Sequence, residues 1–580
     1  MNQAEEDGMI RTPMLLIQRA RGLLAAAVLA QGTLLAATPD RTTIPSADRS
    51  ALAAFARPQA GLDQISVLPA YEFDGGSQAA AITGAERYPV REIRVDGAEA
   101  LDAAALDQVL AGFEGRPLSF NDMVQLRDRL TALYVEAGYV TSGAVLEALE
   151  DGVLRIQIIE GALERIEVRS TGHFREKYVA GFLAGFGDPE PVNVLDLEER
   201  LQILQQQPHV SSVEAQLLPG SQRGESVLLV SPIETERWFL GLEASNQLSP
   251  AIGSAQAVAS LNVLNLTGRA DDLRFGARGA EGLLEFMGEY DFPVGDRGQR
   301  LSLYAFGADS DIVREPFKDL DIGADSLTAG GRFRLPIFRS LLTQTNLVLA
   351  AEWRQSRTYL LGQGFSFIEG PEDGRARMAI VRGGIESLHR SQRDVVFGRL
   401  EVSLGLDAFG ATVAETDEVP DGRFVKLRGQ FQWARRLPWL DSELLLRLDG
   451  QLSNDPLFGL EQYPIGGRWT VRGYRENTLI RDNALIFSAE WRLPLRQDPT
   501  GRSRLELRPF VDWSHSGNVN ADEIGPRSLS SVGAGIYWSP VEALQFEVYW
   551  GEALEAVTYA SEYDIQDDGI HFRFTWDAGL

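Results

Sequence analysis

The chain has no cysteine, which excludes disulfides, thiolate nucleophiles and cysteine-bound metals. Lysine is scarce as well: of 55 basic residues, only Lys177, Lys318 and Lys426 are lysines. Genome composition explains such a bias; so does a polar cavity in which guanidinium forks pair with carboxylates. Positive charge as a whole is short. The net charge of −27 disfavours nucleic acid as a partner, because phosphates would be repelled. The sequence lacks a Gly-Lys dipeptide, hence a phosphate-cradling loop, and lacks a Gly-x-Ser-x-Gly elbow. His173, His209, His389, His515 and His571 have no partners at metal-ligand spacing. No catalytic residue, cofactor or metal site is expected, and the chain is not read as an enzyme. Outside the N-terminal region, no segment reaches the roughly 18 apolar residues of a membrane-spanning helix.

Among the features present, the first is an export signal over 1–37. Arg11, Arg19 and Arg21 precede the apolar stretch Gly22 to Ala37, which ends in small residues. Residues 38–86, rich in Ala, Pro, Ser, Asp and Gly, read as a linker. Within it, 46–57 has a cap at Ser46 or Asp48 and a stop at Pro58, so it is either a short helix or plain linker.

From Tyr88 the pattern changes. YPVREIRVDG reads as a strand, and two helices follow, about Leu101 to Phe113 and Phe120 to Ala137. In the second, Met123, Leu126, Leu130, Leu133 and Ala137 share one face at helical spacing. YVTSGAVLEA and GVLRIQIIEG close the unit as strands. The order β-α-α-β-β then repeats from ALERIEVRSTG to GESVLLVSPI, with Asn193 capping the second helix. The units span 87–161 and 162–234, and both are α+β.

From 235 to 580 the helical period disappears and about 16 strand-like segments follow. In SRLELRPFVDW, Leu505, Leu507, Pro509, Val511 and Trp513 oppose Arg504, Glu506, Arg508, Phe510 and Asp512. In ALIFSAEWRL, Leu485, Phe487, Ala489, Trp491 and Leu493 oppose Ile486, Ser488, Glu490 and Arg492. ELLLRLDGQL, FVKLRGQFQW and IHFRFTW alternate in the same way. The apolar faces carry no charge and tend to end in Trp, as lipid-facing strands with an aromatic girdle do. The opposite faces suit a wet lumen. Backbone groups in lipid must all be paired, so such strands must close. The fold class is an all-β transmembrane barrel of about 16 antiparallel strands preceded by two α+β units.

One stretch breaks the alternation. GGRWTVRGYREN, Gly466 to Asn477, joins two strands with three glycines and with Arg468, Arg472 and Arg475 among aromatics. Thr470-Val471-Arg472-Gly473-Tyr474-Arg475 resembles the Val-Arg-Gly-Tyr signature in the long sixth extracellular loop of the Omp85 superfamily. LYVEAGYVTSG and EDGVLRIQIIEG resemble the first POTRA domain, and QQPHVSSVEAQLLPG with GESVLLV the second, of the superfamily's two-partner secretion transporters, the haemolysin secretion and activation proteins. LNVLNLTGRADDLRF is similar to that family's Asn-Leu-x-Gly turn. Phe510-Val511-Asp512-Trp513-Ser514 resembles its Phe-x-Asp-x-Gly motif, with Ser in place of Gly. In the first unit, Glu147-Ala148-Leu149 stand where the family carries Pro-x-Gln.

The resemblance implies an outer-membrane pore, with its POTRA domains in the periplasm of a Gram-negative bacterium. It implies capture of an unfolded, β-helical exoprotein of the TpsA type and its export to the surface or medium. It further implies that loop 455–482 folds inward, carrying Val471, Arg472, Gly473 and Tyr474, and that Asp512 accepts Arg472. Alternation alone places Asp512 on the polar face. Phe510 is a further lumen candidate, as are Glu490, Arg508 and Glu506, which are read as general lining. Several family members carry a pore-plugging helix before the POTRA domains, so segment 46–57 is either that helix or plain linker. Lipid and the general barrel-insertion machinery are the other expected partners, and the barrel is expected to be monomeric. An Omp85-type insertase and a passive porin or receptor are the alternatives.

Overall fold

The computed structural model describes residues 87–579 except 171, 186–190, 296, 417, 499–502, 521–524 and 560. The expected signal segment, the linker and its helix at 46–57 lie outside the described residues.

The first unit comprises β1 (Glu92–Asp96), α1 (Ala103–Leu110), α2 (Phe120–Glu136), β2 (Gly143–Glu150) and β3 (Val153–Ile159). β3 is central, parallel to β1 and antiparallel to β2. α2 starts at a reciprocal cap: the Asp122 amide donates to Ser119 Oγ (3.1 Å) and the Ser119 amide to Asp122 Oδ2 (2.8 Å). Met123, Leu126, Leu130 and Tyr134 are its buried residues. The expected face differs here, since Leu133 is only partly buried and Tyr134 takes its place. The phenol remains satisfied because it donates to Glu160 Oε1 (2.8 Å).

The second unit repeats the topology with β4 (Ala162–Val168), α3 (Glu176–Ala184), α4 (Val194–Gln205), β5 (Val210–Pro219) and β6 (Glu225–Glu234). Here β6 is central, parallel to β4 and antiparallel to β5. Asn193 caps α4 by accepting from Leu195 N (2.9 Å), and its side-chain amide donates to Ala137 O of the first unit (3.1 Å).

Sixteen long antiparallel strands form a closed barrel. They are β7 (Trp238–Ser245), β8 (Gln256–Leu264), β9 (Asp272–Ala280), β10 (Leu283–Pro293), β11 (Arg300–Asp311), β12 (Ile322–Arg339), β13 (Thr343–Leu360) and β14 (Arg375–Arg390). The rest are β15 (Asp394–Leu406), β16 (Val425–Leu437), β17 (Ser442–Ser453), β18 (Asn483–Gln497), β19 (Arg504–Gly517), β20 (Ser528–Val541), β21 (Leu544–Ala553) and β22 (Ile570–Gly579). β22 closes on β7, with pairing from Ser245↔Arg573 to Phe239↔Gly579.

The two faces differ as the alternation requires. Leu448, Leu452, Leu485, Phe487, Val511 and Trp513 are exposed on the outside, while Gln451, Ser488, Glu490, Arg508 and Asp512 are buried within. An apolar outer surface of this extent is stable only against lipid. Trp439 stacks on Trp491 at the end nearest the N-terminal units (centroids 5.0 Å apart), whereas Trp513 and Trp550 lie toward the other end. The second unit is fastened to the barrel at the turn after β8. There His209 Nε2 lies 2.6 Å from Asp272 Oδ1, and Arg175 N donates to Gly268 O (2.8 Å).

Candidate functional site

β17 and β18 are joined by a loop that enters the barrel. From Pro456 to Asp482 every residue is buried except Gln462, Trp469 and Thr478, which are half-buried. A short ladder, Tyr463–Ile465 against Leu479–Arg481, forms its stem. At the tip, Gly466, Gly467 and Gly473 have φ of 104°, 91° and 90°, a region that side chains disfavour. Gly473 has a second requirement. A Cβ there would stand 2.8 Å from Gly551 O, and one on Gly551 would stand 2.8 Å from Gly473 N. Loop and β21 thus meet backbone to backbone.

Arg472 is fully buried, and its donors are spent on the facing wall. Nε and Nη2 form a fork on Asp512, at 2.7 Å to Oδ2 and 2.7 Å to Oδ1. Nη1 donates to Glu490 Oε2 (2.5 Å) and Nη2 to Ser488 Oγ (3.1 Å). The Arg472 amide adds a bond to Asp512 Oδ2 (3.0 Å). The guanidinium carbon lies 3.6 Å from the centre of the Phe510 ring. A charge this deep is tolerated only with such a set of partners, and a planar fork matches a carboxylate as an ammonium cannot.

Neighbouring side chains extend the attachment. The Tyr474 phenol bridges Ser530 O and Glu555 Oε2, both at 2.9 Å. Arg475 forks onto Asp567 and stacks over Tyr559, tying the tip to the loop between β21 and β22. Arg468 sits 3.9 Å from the Tyr549 ring centre and reaches Glu547 Oε2 (3.4 Å). Val471 packs with Ile465, Tyr474, Ile486 and Leu529. This explains Ile486, an apolar residue on the polar face.

The candidates named from sequence separate into two groups. Val471, Arg472, Gly473, Tyr474, Phe510, Asp512 and Glu490 come together at the loop tip. Glu490, expected as general lining, belongs to the Arg472 cage. Glu506 and Arg508 do not touch Arg472. They pair with each other along β19 (2.6 Å), and Arg508 reaches Glu547 (3.2 Å). Sequence reasoning did not single out Ser488, Tyr549 and Glu555, which are ordinary lumen types. It also missed Glu461, which meets Arg354, Arg382 and Lys426; the rarity of lysine was the one signal pointing there. Among the described residues, no group of three or more His, Asp or Glu side chains is placed to hold a metal ion.

Known proteins share both the fold and the sequence pattern. A POTRA domain model of the ShlB type matches residues 88–161. The outer membrane transporter CdiB of Dickeya dadantii is 25% identical over 470 residues, covering 77% of this chain and 80% of that protein. The hemolysin transporter protein HpmB of Proteus mirabilis is 25% identical over 423 residues, covering 68% and 70%. Among solved structures, CdiB from Escherichia coli superposes with a TM-score of 0.64 at 19% identity, over 93% of this chain and 99% of that one. BamA from Haemophilus ducreyi lacking POTRA domains 1–3 gives 0.52 at 13% identity, over 85% and 100%. At such identities the superpositions show a shared fold. The model of the haemolysin secretion/activation proteins ShlB, FhaC and HecB matches residues 224–538, more than half of the sequence, and the chain belongs to that family of outer-membrane transporters.

Proposed function

We propose that the chain exports an unfolded exoprotein of the two-partner type across the outer membrane, with residues 235–580 as the pore and 87–161 and 162–234 as POTRA domains in the periplasm. Cargo pairs with an outer strand of these units, where β1, β2, β4 and β5 form sheet edges. The observation that carries the reading is the loop 455–482, held inside the lumen by Arg472 and Asp512. A passive porin needs no such anchored loop and no POTRA units. Arg472 holds the loop, and with it the pore, in its working state. The outer membrane has no ATP supply, so folding of cargo outside provides the direction. The barrel functions as a monomer in lipid after insertion by the general assembly machinery, and 1–37 directs export.

Deletion of the coding sequence tests this. Loss of one large secreted or surface protein, with the outer-membrane barrel proteins unchanged, is the expected result. Depletion of many barrel proteins instead would favour an insertase, a reading supported here only by likeness of fold to BamA.

A further inference from the structure

The loop makes a second attachment, on the wall away from Arg472. Glu461, 2% exposed, receives cations from three strands: Arg354 Nη1 of β13 at 2.7 Å, Arg382 Nη2 of β14 at 2.8 Å and Lys426 Nζ of β16 at 2.5 Å. Its neighbourhood also binds main chain. Arg354 donates to Leu460 O (3.2 Å), and Lys426 and Gln451 donate to Glu461 O (3.1 and 3.0 Å). The cations are positioned by the wall itself. Glu352 binds Arg354 (2.8 Å) and Arg382 (3.1 Å), Tyr304 donates to Glu352 (2.6 Å), and Arg382 donates to Ser403 Oγ (2.6 Å).

Just before Glu461, the loop residues Leu457, Phe458 and Leu460 pack on Ala376, Met378 and Ile380 of β14 and on Phe424. This is an apolar shelf inside an otherwise charged lumen. It is not completely filled: a cavity of about 30 Å³ remains against Phe458 and Leu460, bounded by Ser356, Ile368 and Ala376. The wall therefore presents three convergent cations beside an apolar shelf, with a small void lined in part by Ser356, Thr358 and Ser366 next to it. If the loop simply left, Lys426 would lose the Glu461 carboxylate while Arg354 and Arg382 shared Glu352, so departure is eased when another carboxylate arrives.

We propose that Phe458–Glu461 is an internal ligand. At rest it occupies a peptide site on the β13–β16 wall that binds a short apolar segment ending in a carboxylate, and a like segment of the passing chain displaces it. The identity of the incoming segment rests on the export reading; the site itself does not.

The test uses the purified full-length chain in planar lipid bilayers, without cargo. Glu461→Gln removes the loop carboxylate that the three cations share. Channel opening should rise on the order of tenfold, and the reversal potential in a salt gradient should move toward anion selectivity. Adding Lys426→Met should move it back. A synthetic peptide of the sequence Leu457 to Gln462 should open the unaltered channel saturably, and the same peptide with Gln for Glu should not; this arm stands even if the variants fail to fold. Unchanged conductance and selectivity in Glu461→Gln, or equal action of the two peptides, overturns the proposal. A chain that responds to the acidic peptide yet exports nothing would refute the export reading and leave this site standing.

Discussion

Replacing Arg472 by Ala removes the cation at the centre of the loop anchor. Asp512 loses both guanidinium donors at 2.7 Å, and Glu490 loses one at 2.5 Å while keeping Arg492 at 3.0 Å. Two buried carboxylates then face each other across the vacated space. Breaking a buried pair by removing one partner costs about 3–5 kcal/mol. Here the cost falls on the inserted loop and not on the barrel, whose ladders are independent of residue 472. At about 1.4 kcal/mol per decade, the released loop population should rise roughly two to three and a half orders of magnitude. The chain contains no cysteine, so Val471→Cys introduces the sole thiol at a fully buried point of the loop. Its labelling by a water-soluble maleimide reports how often the loop leaves. Adding Arg472→Ala should accelerate labelling by about the factor above, abolish export and leave heat-modifiable gel migration of the barrel intact. Arg472→Lys should recover only part, because one ammonium cannot fork Asp512 and reach Glu490 together. Equal labelling rates with normal export in Arg472→Ala would refute the claim that this ion pair holds the loop.

Gly473→Ala combines φ of 90° with a contact of 2.8 Å to Gly551 O, so it should destabilise the inserted loop by about 1–3 kcal/mol, seen as faster thiol labelling in the Val471→Cys chain. Tyr474→Phe removes the bonds to Ser530 and Glu555 while keeping the ring packed, and should cost about 1–2 kcal/mol in the same assay. Leu448→Arg places a charge on the lipid face and should reduce insertion into bilayers by about 2–4 kcal/mol, measured by folding into vesicles. Leu126→Ala opens a cavity in the first unit's core and should lower the stability of that unit by about 2–5 kcal/mol in thermal unfolding, with the barrel's heat-modifiability unaffected.

How much of this was readable in advance depends on the range of each interaction. Period-two alternation sorts side chains to lumen or lipid from residues two positions apart. The faces of β16 to β19 and β22 could therefore be assigned from short windows, and Asp512 placed inside. Arg472 stood out because arginines and glycines interrupt that alternation. Local pattern failed where a choice depended on packing. Leu133 and Tyr134 are adjacent on α2, and the tyrosine is buried because Glu160 lies within reach of its hydroxyl. Glu490 and Glu506 look alike as alternate lumen carboxylates. One faces the loop tip and the other faces Arg508 of its own strand.

The amino-acid order by itself determined which residues enter the barrel, which face lipid and where a loop had to turn sharply, since these follow from backbone geometry and neighbouring side chains. Only the tertiary structure decided who meets whom across the lumen. Glu461 finds Arg354 and Arg382 from 107 and 79 positions away. Contacts of that kind exist only once sixteen strands have closed in register and the loop has been confined within the lumen.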